Sequence, residues 1–367
     1  MRIAVVAPLQ ESVPPKAYGG TERIAHYLTE ELVKSGHDVT LFASGDSETS
    51  AKLVSICRES IRLSKIPRDA SLLHMRHLLE VVRMADQFDI VHFHSDWFHF
   101  PLWRSISTPQ VTTLHGRLDI PDLKLIYDEF PEMAVVSISN SQRCPLPRAG
   151  WVDTVYNGIP GENYTFRDDP EGHLVFLGRF TPEKGPEEAI EIAKRTGLPL
   201  KMAAKIDPLD RQYFAERIEP LLDDPLIEFI GEVDEFDKDR LLGGARALLF
   251  PIAWPEPFGL VMIEAMACGT PVIALRRGSV DETVRFGRMT PRSASLVYQG
   301  MGFRSERCRS PKDFSMPRCS TTCTGCRSSS ADLSGSRATG RHCIRLPVHP
   351  RPGLRVPHSC CCNRCWD

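Results

Sequence analysis

Cysteine is scarce in the first 287 residues, where only Cys57, Cys144 and Cys268 occur, widely spaced. That scarcity excludes a disulfide-stapled secreted fold and a cysteine-ligated zinc module for this part of the chain, and it fits a reducing compartment. Long apolar runs are missing as well. The run that follows Met1-Arg2 ends at Pro8 and reads as a first strand. It falls far short of the roughly 20 residues of a membrane-spanning helix, and it is too short for a signal peptide. A cytoplasmic protein is therefore expected, with no membrane contact beyond peripheral association. A strong overall charge is also absent, the formal net charge being −2. This conceals a division: residues 288–367 hold fourteen Lys+Arg against four Asp+Glu, or +10, which leaves −12 on residues 1–287. What remains is ordinary globular material, 42% hydrophobic and 25% charged, and 367 residues suffice for two domains with real cores.

The most informative stretch is WPEPFGLVMIEAMACGTP, from Trp254 to Pro271. Pro255 and Pro257 forbid helix through its opening turn, so Glu256 is expected on a loop. From Gly259 to Cys268 every residue except Glu264 is apolar or small, and Gly269 and Pro271 end the run. A helix apolar all round is a buried helix, so Glu264 is a carboxylate in a dry place that needs hydrogen-bond donors. An internal Arg would supply them, and so would a vicinal diol such as a ribose. The amides at the start of this helix, around Phe258, Gly259, Leu260 and Val261, form an anion-attracting end beside Glu256. A core helix with a Glu–Arg pair is the plain reading; a nucleotide-sugar site is the functional one.

Three further places carry candidate chemistry. The strand IAVVA near the N-terminus leads through a proline-rich loop to Tyr18-Gly19-Gly20-Thr21-Glu22 and an amphipathic helix with Ile24, Tyr27, Leu28, Leu32 and Val33. Gly19 and Gly20 would let backbone amides approach a ligand, though a glycine pair is more often a plain turn. The strand QVTTL ends in His115-Gly116, and ligands of parallel α/β sheets collect at the carboxyl ends of strands. A hydrogen-bonded structural histidine is the alternative there. His92, His94 and His99 stand near another strand end, without the spacing of a metal site. The strand LVFL leads into GRFTPEKGP, which puts Arg179 and Lys184 on one loop ahead of a helix that opens at Pro186. Two cations there repel unless an anion lies between them, and a diphosphate would serve; two solvated surface cations are the other reading.

Together these residues resemble the retaining glycosyltransferases of family 4, which have the GT-B fold. Glu256 and Glu264 match that family's E-x7-E element, and Gly178 to Gly185 match its G-R-x4-K-G diphosphate site. The resemblance covers residues 1 to about 285. It implies two Rossmann-like α/β domains facing across a cleft: residues 1–160 on the acceptor side and 161–287 on the donor side. It implies transfer of a sugar from a nucleoside diphosphate donor, a hexosyl group in the general case, with retention of configuration. By the same resemblance His115 and Glu256 meet the sugar near the reacting carbon. The donor's nucleotide and diphosphate fall to Gly19, Gly20, Arg179, Lys184, Glu232, Phe258, Gly259, Leu260 and Glu264. No metal and no cofactor is expected, because helix amides with Arg179 and Lys184 neutralise the diphosphate and no Asp-x-Asp motif stands at a strand end. Asp281 replaces the proline that the family commonly has before Glu282.

The language of a folded domain stops near residue 286. In residues 288–367 Leu, Ile, Val and Phe together number ten, thirteen arginines stand against one lysine, and no run of helical or strand period is expected. Such a segment cannot bury enough apolar area to offset its ordering entropy. The cysteines at 319, 323, 326 and 343, or the 360–365 cluster, have irregular spacings for zinc, and the arginines lack the interleaved aromatics of a nucleic-acid arm. The composition matches that of a GC-rich gene read out of frame. The chain is expected to be an active transferase with an aberrant tail, or else a catalytically impaired nucleotide-binding remnant. A sugar-nucleotide epimerase on the same fold is a third reading.

Overall fold

The computed structural model describes residues 1–66 and 68–287, together with the backbone of 296–298. Residues 288–295 and 299–367, on which most expectations for the tail fall, lie outside the described residues. The chain alternates strand and helix from its start. The first run is β1 (Arg2–Val6), α1 (Gly20–Lys34), β2 (Asp38–Phe42), β3 (Lys52–Val54), α2 (Ala70–Met84) and β4 (Ile90–Phe93). It continues through α3 (Phe100–Trp103), β5 (Gln110–Leu114), α4 (Leu123–Glu129), β6 (Val135–Ser137), α5 (Asn140–Arg143) and β7 (Trp151–Thr154). These seven strands form one parallel sheet in the order β3-β2-β1-β4-β5-β6-β7.

The second run has β8 (His173–Arg179), α6 (Pro186–Thr196), β9 (Leu200–Lys205), α7 (Arg211–Tyr213) and β10 (Ile227–Gly231). After these come α8 (Glu235–Gly243), β11 (Ala245–Phe250), α9 (Leu260–Ala267), β12 (Val272–Leu275), α10 (Val280–Gly287) and β13 (Leu296–Tyr298). Its sheet is also parallel, in the order β10-β9-β8-β11-β12-β13. In both sheets the strand order reverses beside the first strand, between β1 and β4 and between β8 and β11. Loops at the carboxyl ends of strands are left uncovered at such a point. β13 corrects one expectation: the residues beyond 287 suggest no strand, yet the backbone of 296–298 pairs with β12 from Ile273 to Leu275. Three residues suffice to extend an existing edge, because the neighbouring strand supplies the template.

Local chemistry explains the elements that matter for the site. β1 is buried on both faces, Ala4 and Val6 against one cluster and Ile3 and Val5 against the other, as a central parallel strand must be. α6 begins with Pro186 after Gly185 at φ 70° and stops at Gly197 with φ 65°, both left-handed positions that suit glycine. A Cβ at Gly185 would lie 2.3 Å from the Pro251 carbonyl oxygen, so the Lys184 loop is pressed against the end of β11. α9 is apolar on all sides, with Met262, Ile263, Ala265 and Met266 buried in the core of the second sheet. β3, β7 and the short helices α3 and α4 escape sequence periodicity because each spans under two turns or a handful of residues.

Glu282 ties the second half to the first. Its carboxylate accepts from the backbone N–H of Asn140 at 2.8 Å, the N–H of Ser141 at 2.8 Å and the Tyr156 hydroxyl at 2.9 Å. It therefore caps the start of α5 from the other side of the molecule. Glu282→Gln keeps the shape and removes the charge. It is expected to lower unfolding stability by about 1–3 kcal/mol, read from urea melts. Unchanged stability would show that Asn140 and Ser141 find equal partners in water.

Candidate active site

The uncovered ends of the two sheets meet at a cleft of about 880 Å³. The loop after β1 brings Gly19 and Gly20 to its wall, and the end of β5 brings His115. Arg179 and Lys184 arrive on the loop after β8, and Glu232 follows β10. Glu256, Phe258, Gly259, Leu260 and Glu264 arrive on the segment between β11 and the middle of α9. All eleven residues that the resemblance assigns to the sugar and the nucleotide line this one cavity. The starts of α1 and α9 approach closely across it, since a Cβ at Gly20 would meet Leu260 Cδ1 at 3.4 Å. Gly19, at φ 148°, has no room for a side chain, with Pro15 Cβ 2.7 Å from where one would begin.

The charges in the cleft are arranged differently from the simplest expectation. Lys184 and Arg179 do not face one another across a missing anion. Lys184 Nζ donates to Glu256 Oε2 at 2.8 Å, where the Trp254 indole N–H also donates at 2.7 Å. The same ammonium lies 4.9 Å from the centre of the Trp254 ring, a cation–π contact. Arg179 turns the other way, its Nε 3.2 Å from Asp210 Oδ2 and an Nη 3.5 Å from Glu183. Local carboxylates have relieved the repulsion that seemed to call for a diphosphate. Glu264 is similar: Lys238 Nζ donates to its Oε1 at 2.7 Å and the Tyr164 hydroxyl at 3.1 Å. Its donors are a lysine and a tyrosine rather than an arginine, so burial alone does not demand a ligand there.

Residues 18–159 match the family described as Glycosyltransferase Family 4, and residues 164–290 match Glycosyl transferases group 1. The chain belongs to the family 4 glycosyltransferases, with the GT-B fold. An uncharacterized glycosyltransferase of Methanocaldococcus jannaschii is 27% identical over 337 residues, covering 78% of this chain and 83% of that one. The fold is similar to that of sucrose-phosphate synthase from Thermosynechococcus elongatus, with a TM-score of 0.65, 20% identity and coverage of 82% and 86%. It is also similar to Anabaena HepE, solved with UDP and glucose, with a TM-score of 0.58, 20% identity and coverage of 77% and 82%. The family match ends at residue 290, close to where the sequence changes character.

In this glycosyltransferase His115 belongs to a histidine stack. Its Nε2 lies 2.8 Å from His94 Nδ1 with the rings 5.1 Å apart, and His92 stacks on His94 at 4.5 Å. Burial pushes the His115 imidazole down to about 3, helped by charge on His92, and His92 down to about 4; His94 is held well below the usual histidine value. All three are neutral at pH 7. A neutral imidazole can donate one hydrogen bond and accept another, which suits the recognition of a hydroxyl.

The transferase also carries cleft residues that sequence reading passed over. Arg62 Nη1 sits 3.2 Å from both oxygens of Glu232, a pair that joins the two halves across 170 residues of sequence, and it also pairs with Glu11. Glu22 is buried, and its carboxyl is pushed up to about 7, by burial first and by the neighbouring Glu11 in the same sense. Arg62, Glu11 and Lys238 stand in no motif, and only their meeting in space marks them. Glu22 is visible in the sequence, two residues beyond Gly20, but one acidic residue at a helix start is commonplace. Among the described residues no helix is long and apolar enough to cross a membrane.

Proposed function

We propose that this transferase moves a sugar, a hexosyl group, from a nucleoside diphosphate donor to an acceptor hydroxyl with retention of configuration. The observation that carries the reading is the convergence of Lys184, Glu256 and Glu264 with the starts of α1 and α9 on one cleft. HepE's binding of UDP and glucose in a similar fold lends it support. The diphosphate would lie against the first amides of α9, with Lys184 and Arg179 exchanging their carboxylate partners for phosphate oxygens. The nucleoside's ribose hydroxyls would donate to Glu264, and Glu232 would lie by the base.

Bond breaking occurs between the anomeric carbon and the diphosphate oxygen, and the new bond forms from the acceptor oxygen on the same face. The acceptor's proton passes to the departing phosphate oxygen. Lys184, Arg179 and the helix amides stabilise the charge that develops on the leaving group. Glu256 and neutral His115 hold the sugar hydroxyls and so orient the anomeric carbon. We assign no metal and no cofactor to this chemistry. The compartment we assign is the cytoplasm, where such donors are made available to a peripheral or soluble transferase.

The test separates the two glutamates. Glu264→Gln is expected to weaken binding of the free nucleoside diphosphate by about 10-fold or more, since a hydrogen bond to a charged group is worth about 1.5–3 kcal/mol. Glu256→Gln is expected to leave the free nucleotide bound and to harm use of the sugar donor. Calorimetric titration with UDP, GDP and ADP, alongside donor turnover, reads both. Equal loss of free-nucleotide affinity in the two variants would defeat this division.

A further inference from the structure

Along the cleft wall runs a chain of four buried or half-buried charges, of which only Glu264 has a part in the proposed reaction. Lys238, on α8, donates to Glu264 Oε1 at 2.7 Å and also pairs with Glu235 Oε1. Glu235, at the start of the same helix, pairs through that same oxygen with Arg23 of α1. Arg23 in turn donates through its other nitrogen to the Ala17 carbonyl at 2.8 Å. Ala17 lies two residues before Gly19. The chain therefore begins at α9, crosses from the second sheet's helices to the first's, and ends on the loop that bears Gly19 and Gly20. Arg23 and Lys238 are both buried, and with two carboxylates between and beside them the set is neutral.

One oxygen of Glu235 serves both cations, which makes the chain responsive. Hydroxyls that donate to Glu264 share its charge and loosen its hold on Lys238. The ammonium then leans further on Glu235, in direct competition with Arg23 for Oε1. Arg23, losing part of its carboxylate partner, bonds the Ala17 carbonyl more firmly. We propose that Arg23, Glu235 and Lys238 are positioning residues that couple occupancy at Glu264 to the placement of the loop at residues 17–20. The inference rests on Glu264 being the nucleoside-binding group, and it adds that the nucleotide side of the cleft prepares the opposite wall. Coupling of this kind is a free energy between two sites and is measured as such.

Amide hydrogen exchange on the full chain, with and without saturating UDP, GDP or ADP, tests it. In the parent protein the nucleotide that binds is expected to slow exchange in the peptide spanning residues 17–22. Glu235→Gln and Arg23→Met are each expected to bind that nucleotide and to lose the change at 17–22. Lys238→Met should lower nucleotide affinity by about 10-fold, and Lys238→Arg, which restores a cation, should recover most of it. Exchange elsewhere and the melting temperature report whether each variant is folded, and either of the first two variants suffices if the other is not. Slowed exchange at 17–22 that survives in the Glu235 and Arg23 variants overturns the relay, since direct contact with the ligand would then explain it. Parent-like affinity in Lys238→Met overturns the role of Lys238. A parent protein that binds none of the three nucleotides removes the donor reading itself, and parent-like binding by Glu264→Gln removes the nucleoside's assignment to Glu264.

Discussion

Lowering the pH from 7 to about 4.5 is expected to remove several kcal/mol of folding stability, because each tenfold difference in proton affinity between folded and unfolded chain corresponds to about 1.36 kcal/mol. Burial holds His77 and His92 down to about 4, and His99 and His115 down to about 3; His94 lies well below its ordinary value for the same reason. In the unfolded chain each would take a proton near the ordinary value of 6.5. Between that value and the folded one, the unfolded state binds more protons than the folded state. Stability from these groups is thus fully present above 6.5 and is lost as the pH falls toward 4 and below.

Four carboxyls work in the opposite sense, Glu11, Glu22, Asp96 and Asp210, each raised by burial first. Burial raises Glu22 to about 7 and Asp96 to about 6, so over the same range the folded state holds their protons and gains. The five histidines, joined by His26, His74 and His173, which burial also lowers, outweigh the four carboxyls. Since domains are commonly stable by only about 5–15 kcal/mol, the loss should bring the midpoint of urea unfolding down sharply. Urea melts at a series of pH values check it. A stability that is flat, or that rises, on acidification would mean that the stacked imidazoles are not held neutral.

The second large effect concerns Lys184. Replacing it with Met is expected to cost nucleoside diphosphate affinity about 10- to 150-fold, which corresponds to about 1.5–3 kcal/mol for a charge-assisted hydrogen bond. The fold should suffer as well, because Glu256 is buried and keeps only the Trp254 N–H at that oxygen. Removing one partner of a buried pair strands the other charge. Arg179→Ala should do less on both counts: Arg179 is shared between Asp210 and Glu183 and is more exposed than Lys184. Titration calorimetry and thermal melts on both variants give the comparison. If Arg179→Ala weakened binding more than Lys184→Met, the diphosphate would sit nearer the 210 side than the cleft charges imply. Unchanged affinity in both would take the diphosphate away from this loop.

Much of this protein was legible in its residues because local physical chemistry writes itself into short windows. The apolar run at β1 and the all-apolar α9 with a single glutamate could each be read without a fold. So could Gly185 and Pro186 at the opening of α6 and Gly197 at its close. Burial patterns and caps depend on neighbours within a turn or two. The gathering of eleven residues on one cleft is read through motif resemblance, and the doubled strand order gives it a physical cause: each reversal of strand order leaves a set of loops uncovered at the carboxyl ends of its strands, and the two sets line one cleft.

Partnership was decided by tertiary structure alone. Nothing in the sequence says that Glu264 meets Lys238 and Tyr164 rather than an arginine, or that Asp210 draws Arg179 away from Lys184. Arg62 finds Glu232 and His94 finds His115 only once strand order has set which loops are neighbours. A charge carries no period and reaches several ångströms in any direction. Which opposite charge it meets is therefore settled by the packing of whole elements, after the periodic residues have placed them.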